Sequence, residues 1–156
     1  MRLRTVLAAV ALVALVALSP GVPTSAIAAA PPAGAQANLT EAEWTAIKAI
    51  IAEQLSALKA GDGAKAFGYA SPSIKEQFGD AANFLTMVRT AYGALIAARY
   101  TEFLEGALLD GNVIQPLRLI APDNSVRVAL YTMQKQPDGR WKISGCVLAP
   151  STVQAA

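Results

Sequence analysis

The chain has 156 residues, 54% of them apolar, with 13 Lys and Arg against 11 Asp and Glu, a single Cys and no His. The lack of His excludes histidine-based acid–base catalysis and most zinc or haem sites, and the lone Cys146 excludes an intramolecular disulfide. Arg2 and Arg4 account for the whole basic excess; the remaining chain is neutral without a basic cluster, which argues against nucleic-acid binding.

Met1-Arg2-Leu3-Arg4, the apolar stretch Thr5–Leu18, the helix breakers Pro20 and Pro23, and the small-x-small triplet Ala26-Ile27-Ala28 have the layout of a secretory signal peptide. An uncleaved anchor is the rival, but the apolar stretch is shorter than the roughly 20 residues a membrane span needs. No Cys follows it, against a lipoprotein, and Arg2 and Arg4 are not adjacent, against a twin-arginine signal. Residues 1–28 are expected to be removed, leaving a periplasmic or secreted chain with no membrane contact. Residues 29–39 read as a flexible leader, 40–150 as one domain and 151–156 as a tail.

Thr40-Glu41-Ala42-Glu43 is a capping box that starts a helix with Trp44, Ile47, Ile51, Leu55 and Leu58 along one stripe, ended by Gly61. Asp62-Gly63 starts a short helix carrying Phe67. Ser71-Pro72 starts another, which ends near Gly79. Asp80 caps a longer helix, about Ala81 to Leu95, with Phe84, Leu85, Val88, Ala91 and Tyr92 facing inward. Gly61-x-Gly63 lacks the rest of any phosphate-loop fingerprint.

From Arg99 to Pro150 the pattern changes to β-rich runs separated by turn chemistry at Asp110-Gly111, Pro122-Asp123-Asn124 and Pro137-Asp138-Gly139. Four strands in an antiparallel meander follow, and helices first with strands after is the segregated α+β layout. A two-residue turn at Asp110-Gly111 pairs Leu109 with Asn112 and places Glu102, Leu104, Leu108, Val113, Leu117 and Leu119 on the covered face. A two- or four-residue turn around Asp123-Asn124 adds Val128, Leu130 and Thr132 to that face. The last turn is open between two forms. A three-residue loop with a bulge turns Cys146 inward; a two-residue turn puts Trp141, Ile143 and Val147 inside instead.

Phe103-Leu104-Glu105-Gly106, Gln115-Pro116-Leu117-Arg118-Leu119, Ala129-Leu130-Tyr131-x-Met133-Gln134 and Gln136-Pro137-Asp138-Gly139-x-Trp141-x-Ile143-x-Gly145-Cys146 resemble a bacterial family of exported proteins known only as a domain of unknown function. Ala60-Gly61-Asp62-Gly63-x-x-Ala66-Phe67 and Phe84-Leu85-x-Met87-Val88-Arg89 are similar to its helical part. The resemblance runs from about Glu43 to Pro150. It implies the cone-shaped nuclear-transport-factor-2-like fold, which ketosteroid isomerases, polyketide cyclases and plain binding modules share, and it implies no activity.

In the two-residue-turn register, Gly106, Gln115, Thr132 and Gly145 form one cross-strand row on the covered face, between rows of Leu, Val and Ile. Two missing side chains and two polar ones make this row the candidate floor of a small-molecule pocket. The alternative is that the glycines make room for Trp44 or Phe84 and Gln115 bonds to backbone. Glu102 at the strand end is a candidate base, and Tyr100 a candidate hydrogen-bond donor. Cys146 has no basic neighbour to activate it and reads as an inert thiol. The opposite face mixes Phe103, Ile114, Pro116, Ala129, Tyr131, Met133 and Leu148 with Arg118, Arg127 and Lys142, which suggests a homodimer surface. The expectation is a non-catalytic small-ligand or protein-binding module without cofactor or metal. A small isomerase- or hydrolase-like enzyme is the alternative.

Overall fold

The computed structural model describes residues 38–150. The expected signal, the leader up to residue 37 and the tail lie outside the described residues.

Helix α1, Glu41–Ala60, opens on the capping box: the Glu43 amide donates to Thr40 Oγ1 at 3.2 Å, and the Thr40 amide donates to Glu43 Oε2 at 2.9 Å. It ends at Gly61, whose φ of 74° lets its amide reach back to Leu58 O at 3.1 Å. Its stripe of Ile47, Ile51, Leu55 and Leu58 is buried, while Trp44 is half-buried. Asp62 caps α2, Gly63–Gly68; Ser71 caps α3, Pro72–Phe78; Asp80 caps α4, Ala81–Ala91. The last of these stops short of the expected Leu95. Tyr92 leaves helical geometry, Gly93 follows, and a short α5, Gly93–Ile96, begins again.

The strands are β1, Tyr100–Phe103; β2, Ala107–Leu109; β3, Asn112–Ile120; β4, Val126–Lys135; and β5, Trp141–Pro150. They form an open antiparallel sheet in the order β1-β3-β4-β5, with β2 also pairing to β3. The fold is α+β, with five strands where four were expected. Leu109 pairs with Asn112 as anticipated, but Tyr100 pairs with Ile120 and Phe103 with Leu117. The first edge strand therefore holds one extra residue, taken up in Leu104-Glu105-Gly106, and this splits it in two.

That extra residue turns Thr101 and Phe103 toward the helices and Glu102 away from them, which corrects the expected facing of β1. A second correction applies to β4. Pro122-Asp123-Asn124 is a three-residue loop, closed by Ala121 N to Ser125 O at 2.9 Å, with Asn124 left-handed at φ 63°. An odd loop moves the register by one, so Ala129, Tyr131 and Met133 are buried while Val128, Leu130 and Thr132 face outward.

The final hairpin combines both expected forms. Gly139, at φ 81°, closes a three-residue loop with Gln136 N donating to Arg140 O at 2.8 Å, and Trp141 and Ile143 face inward. The register then slips by one residue between Thr132 and Met133 on β4, and beyond this bulge Cys146 pairs with the inward-facing Tyr131. Val147 turns outward and is 62% exposed.

One core lies between α1 and the covered sheet face, around Ile47, Ile51, Leu117, Leu119 and Tyr131. A second lies among the helices, around Leu58, Ala66, Phe84 and Val88. Each fully buried Ile or Leu stabilises by roughly 1.5–3 kcal/mol. The β5 edge is not left open. Ile143 N donates to Tyr69 O at 2.9 Å, Ser71 N donates to Ile143 O at 2.8 Å, and the Lys142 ammonium donates to Gly68 O at 2.6 Å.

Candidate functional site

Between the two cores the helices stand away from the end of the sheet and leave a cavity of about 520 Å³. Its walls come from α1 (Gln54, Leu58), α3 (Ile74, Phe78), α4 (Phe84, Met87, Val88) and α5 (Leu95), and its floor from Tyr131, Ile143 and the bulged segment Ser144-Gly145-Cys146. The bulge and the end of α4 meet at the cavity, where the Tyr92 hydroxyl reaches the Cys146 carbonyl.

The polar groups there are few: Gln77 lies on the exposed face of α3, and three of the others are held by backbone carbonyls. The Tyr92 hydroxyl donates to the Cys146 carbonyl at 2.6 Å. Ser144 Oγ donates to Thr132 O at 3.1 Å, and Gln54 Nε2 donates to Ala66 O at 3.2 Å. Tyr131 and Cys146 are cross-strand partners, so the thiol lies beside the phenol.

Burial pushes the Cys146 thiol up to about 12, the adjacent Tyr131 hydroxyl opposing this in part. Burial also raises Tyr92, with Cys146 adding to the effect. It lifts Tyr131 well above an ordinary phenol, with Cys146 and then Tyr92 contributing. At neutral pH all three keep their protons and act as neutral hydrogen-bond donors rather than as bases or nucleophiles. Among the described residues that line it, none is charged. Among the described residues no three His, Cys, Asp or Glu side chains converge, so none forms a metal-ligand set.

The residues singled out from sequence are placed as follows. Thr132 and Gly145 pair as anticipated, but their side-chain positions lie on the outer face. Gln115 is fully buried on the covered face, where its Nε2 donates to Leu104 O at 2.8 Å and Pro116 O at 3.0 Å. Its Oε1 has no protein partner among the described residues. Gly106 lies against the Trp44 ring, so a side chain there would collide with the indole. The four therefore do not share one face. The row that crosses the covered face through Gln115 continues to Tyr131 and Cys146 instead.

Glu102 lies on the outer face, ion-paired with its cross-strand neighbour Arg118. Tyr100 is 52% exposed at the start of β1. Neither borders the cavity. The residues that do carry its polar chemistry, Tyr92, Tyr131 and Cys146, went unassigned in the sequence because a one-residue register difference placed Tyr131 outside. The odd loop Pro122-Asp123-Asn124 was the signal that could have turned the Tyr131–Cys146 pair inward.

No curated protein matches the chain. A family described as Domain of unknown function (DUF4864) matches residues 40–156, a span that takes in every element from α1 to β5, and the chain belongs to that family.

Proposed function

We propose that the domain is a non-catalytic binding module that takes a small, mainly apolar molecule into the cavity between its helices and β5. The observation that carries this reading is the cavity itself: about 520 Å³, within the range of small-ligand sites, with apolar walls and a few fixed polar groups. The cone-shaped nuclear-transport-factor-2-like fold belongs to the same proposal, supported by helices packed on one face of an antiparallel sheet. Export belongs to it as well, carried by the character of residues 1–28, and the mature chain should begin near Ala29 on N-terminal sequencing. An isomerase-like enzyme would need a base at the cavity, and Glu102 sits on the opposite face of the sheet. The test is titration with phenylnaphthylamine, a neutral apolar dye. One-to-one binding is expected, lost when Met87→Trp fills the cavity at an unchanged melting midpoint. A folded protein that leaves the dye free would sink the reading.

The outer sheet face favours a second proposal, that two copies associate there. Ile114, Pro116, Val128, Leu130 and Val147 line that face, with Leu130 36% and Val147 62% exposed. Sedimentation should show a dimer that Val147→Lys converts to monomer; a wild-type monomer at high concentration refutes it.

A further inference from the structure

We infer that the cavity selects an uncharged molecule by a carbonyl-type acceptor oxygen, which the Tyr131 hydroxyl holds at the cavity floor. This rests on the ligand-binding reading above and goes on to name what is bound.

Elimination among the hydroxyls that reach the interior leaves Tyr131. Of the two side-chain amides among the described residues there, Gln54 Nε2 already donates to Ala66 O and Gln77 lies on the exposed face of α3. Among the described residues three hydroxyls border the cavity: Tyr92, Ser144 and Tyr131. Tyr92 already donates to Cys146 O, and Ser144 to Thr132 O. A hydroxyl has a single proton to give, so neither has one left for a ligand. Tyr131 differs. It is 2% exposed, and its hydroxyl's hydrogen-bond partner is the thiol of its cross-strand neighbour Cys146, not a carbonyl oxygen. A thiol sulfur is a weak acceptor, and a buried hydroxyl in an apolar setting gains from a stronger one. An acceptor oxygen brought in by a ligand supplies it.

Charge on the ligand is disfavoured by the same walls. No Lys or Arg among the described residues lines the cavity, and the nearby Lys142 directs its ammonium to the Gly68 carbonyl. A carboxylate moved into this space would lose water and meet no counter-charge. Burial keeps the Tyr131 proton in place far above neutral pH, so the donor is present throughout the physiological range.

The probes are three naphthalenes of similar shape, acetylnaphthalene, ethylnaphthalene and naphthoate, titrated calorimetrically into wild type and Tyr131→Phe. Losing a hydrogen bond and leaving a buried carbonyl unpaired should weaken acetylnaphthalene about tenfold in the variant. Ethylnaphthalene, which makes no such bond, should change less than twofold. Naphthoate should bind wild type at least tenfold more weakly than acetylnaphthalene. As a check that needs no variant, the infrared carbonyl band of acetylnaphthalene bound to wild type should lie below its position in an alkane solvent. Equal effects of Tyr131→Phe on the two neutral probes, an unshifted carbonyl band, or naphthoate as the tightest ligand would each overturn the inference. If acetylnaphthalene fails while ethylnaphthalene binds, only the Tyr131 assignment falls. If none of the three binds, the ligand-binding reading falls with it.

Discussion

Gly106→Ala would place a methyl carbon 2.6 Å from Trp44 Cη2 and 2.7 Å from Cε3, and closer still to Cζ3. Carbon atoms rest comfortably about 3.5–4 Å apart, so something has to move by about 1 Å. The backbone of Gly106 is not left-handed, so the substitution tests space alone. Trp44 has little freedom to yield, because it sits in the first turn of α1. The Thr40–Glu43 capping box fixes that turn, and so does the Glu43–Lys135 ion pair at 2.8 Å. If the strand connection yields instead, it pulls on Leu104 N to Pro116 O at 3.1 Å and on Gln115 Nε2 to Leu104 O at 2.8 Å. Either route is overpacking and costs about 1–3 kcal/mol. In a domain of this size that lowers the melting midpoint by about 4–12 °C. Trp44→Leu removes the obstacle, so Gly106→Ala in that background should cost less than about 0.5 kcal/mol. The pair should then show a coupling of about 1 kcal/mol or more. Thermal and urea melts followed by far-ultraviolet circular dichroism complete the cycle. A Gly106→Ala midpoint within a degree of wild type, or an equal loss in both backgrounds, would refute the claim that Gly106 exists to seat Trp44.

Two further outcomes follow from titrating groups. Glu43 is lowered to about 2, first by its hydrogen bond to Lys135 and then by those to the Thr40 amide and hydroxyl. A depressed carboxylate contributes stability above its unfolded value of 4.5 and loses it as pH falls toward 2. Glu43→Gln should therefore melt below wild type at pH 7, with the gap closing between about pH 4.5 and 2 and shrinking in high salt. A gap that stays constant over that range would count against it. With Cys146 pushed up to about 12, only about one thiol in ten thousand is ionised at pH 8. A thiol reagent should therefore label the native protein far more slowly than the urea-unfolded chain, and stoichiometric native labelling within minutes would contradict a half-buried thiol held in its protonated form.

Local chemistry made much of this fold legible in the sequence. Thr40, Asp62, Ser71-Pro72 and Asp80 cap helices and Gly61 ends one, because a short polar side chain or a missing Cβ solves a problem within a few residues of itself. The Leu109–Asn112 pairing was legible for the same reason, being set by its turn, whereas Thr132–Gly145 pairs only because the bulge on β5 offsets a loop one residue longer than the turn assumed for it. What local chemistry does not determine is the parity of each connection. The extra residue at Leu104-Glu105-Gly106 and the odd loop Pro122-Asp123-Asn124 each reverse which side chains face the helices. On β4 the hydrophobic pattern offers no arbitration, since Val128 and Leu130 on one side are as apolar as Ala129 and Met133 on the other. Only the tertiary structure chooses between them, by packing Ala129, Tyr131 and Met133 with Ile47, Ile51 and Leu55 of α1 in one core. The same choice carries the candidate site, because turning β4 by one residue brings the Tyr131–Cys146 pair to the cavity floor and leaves the Thr132 side chain outside, with Gly145 bordering the cavity through its backbone.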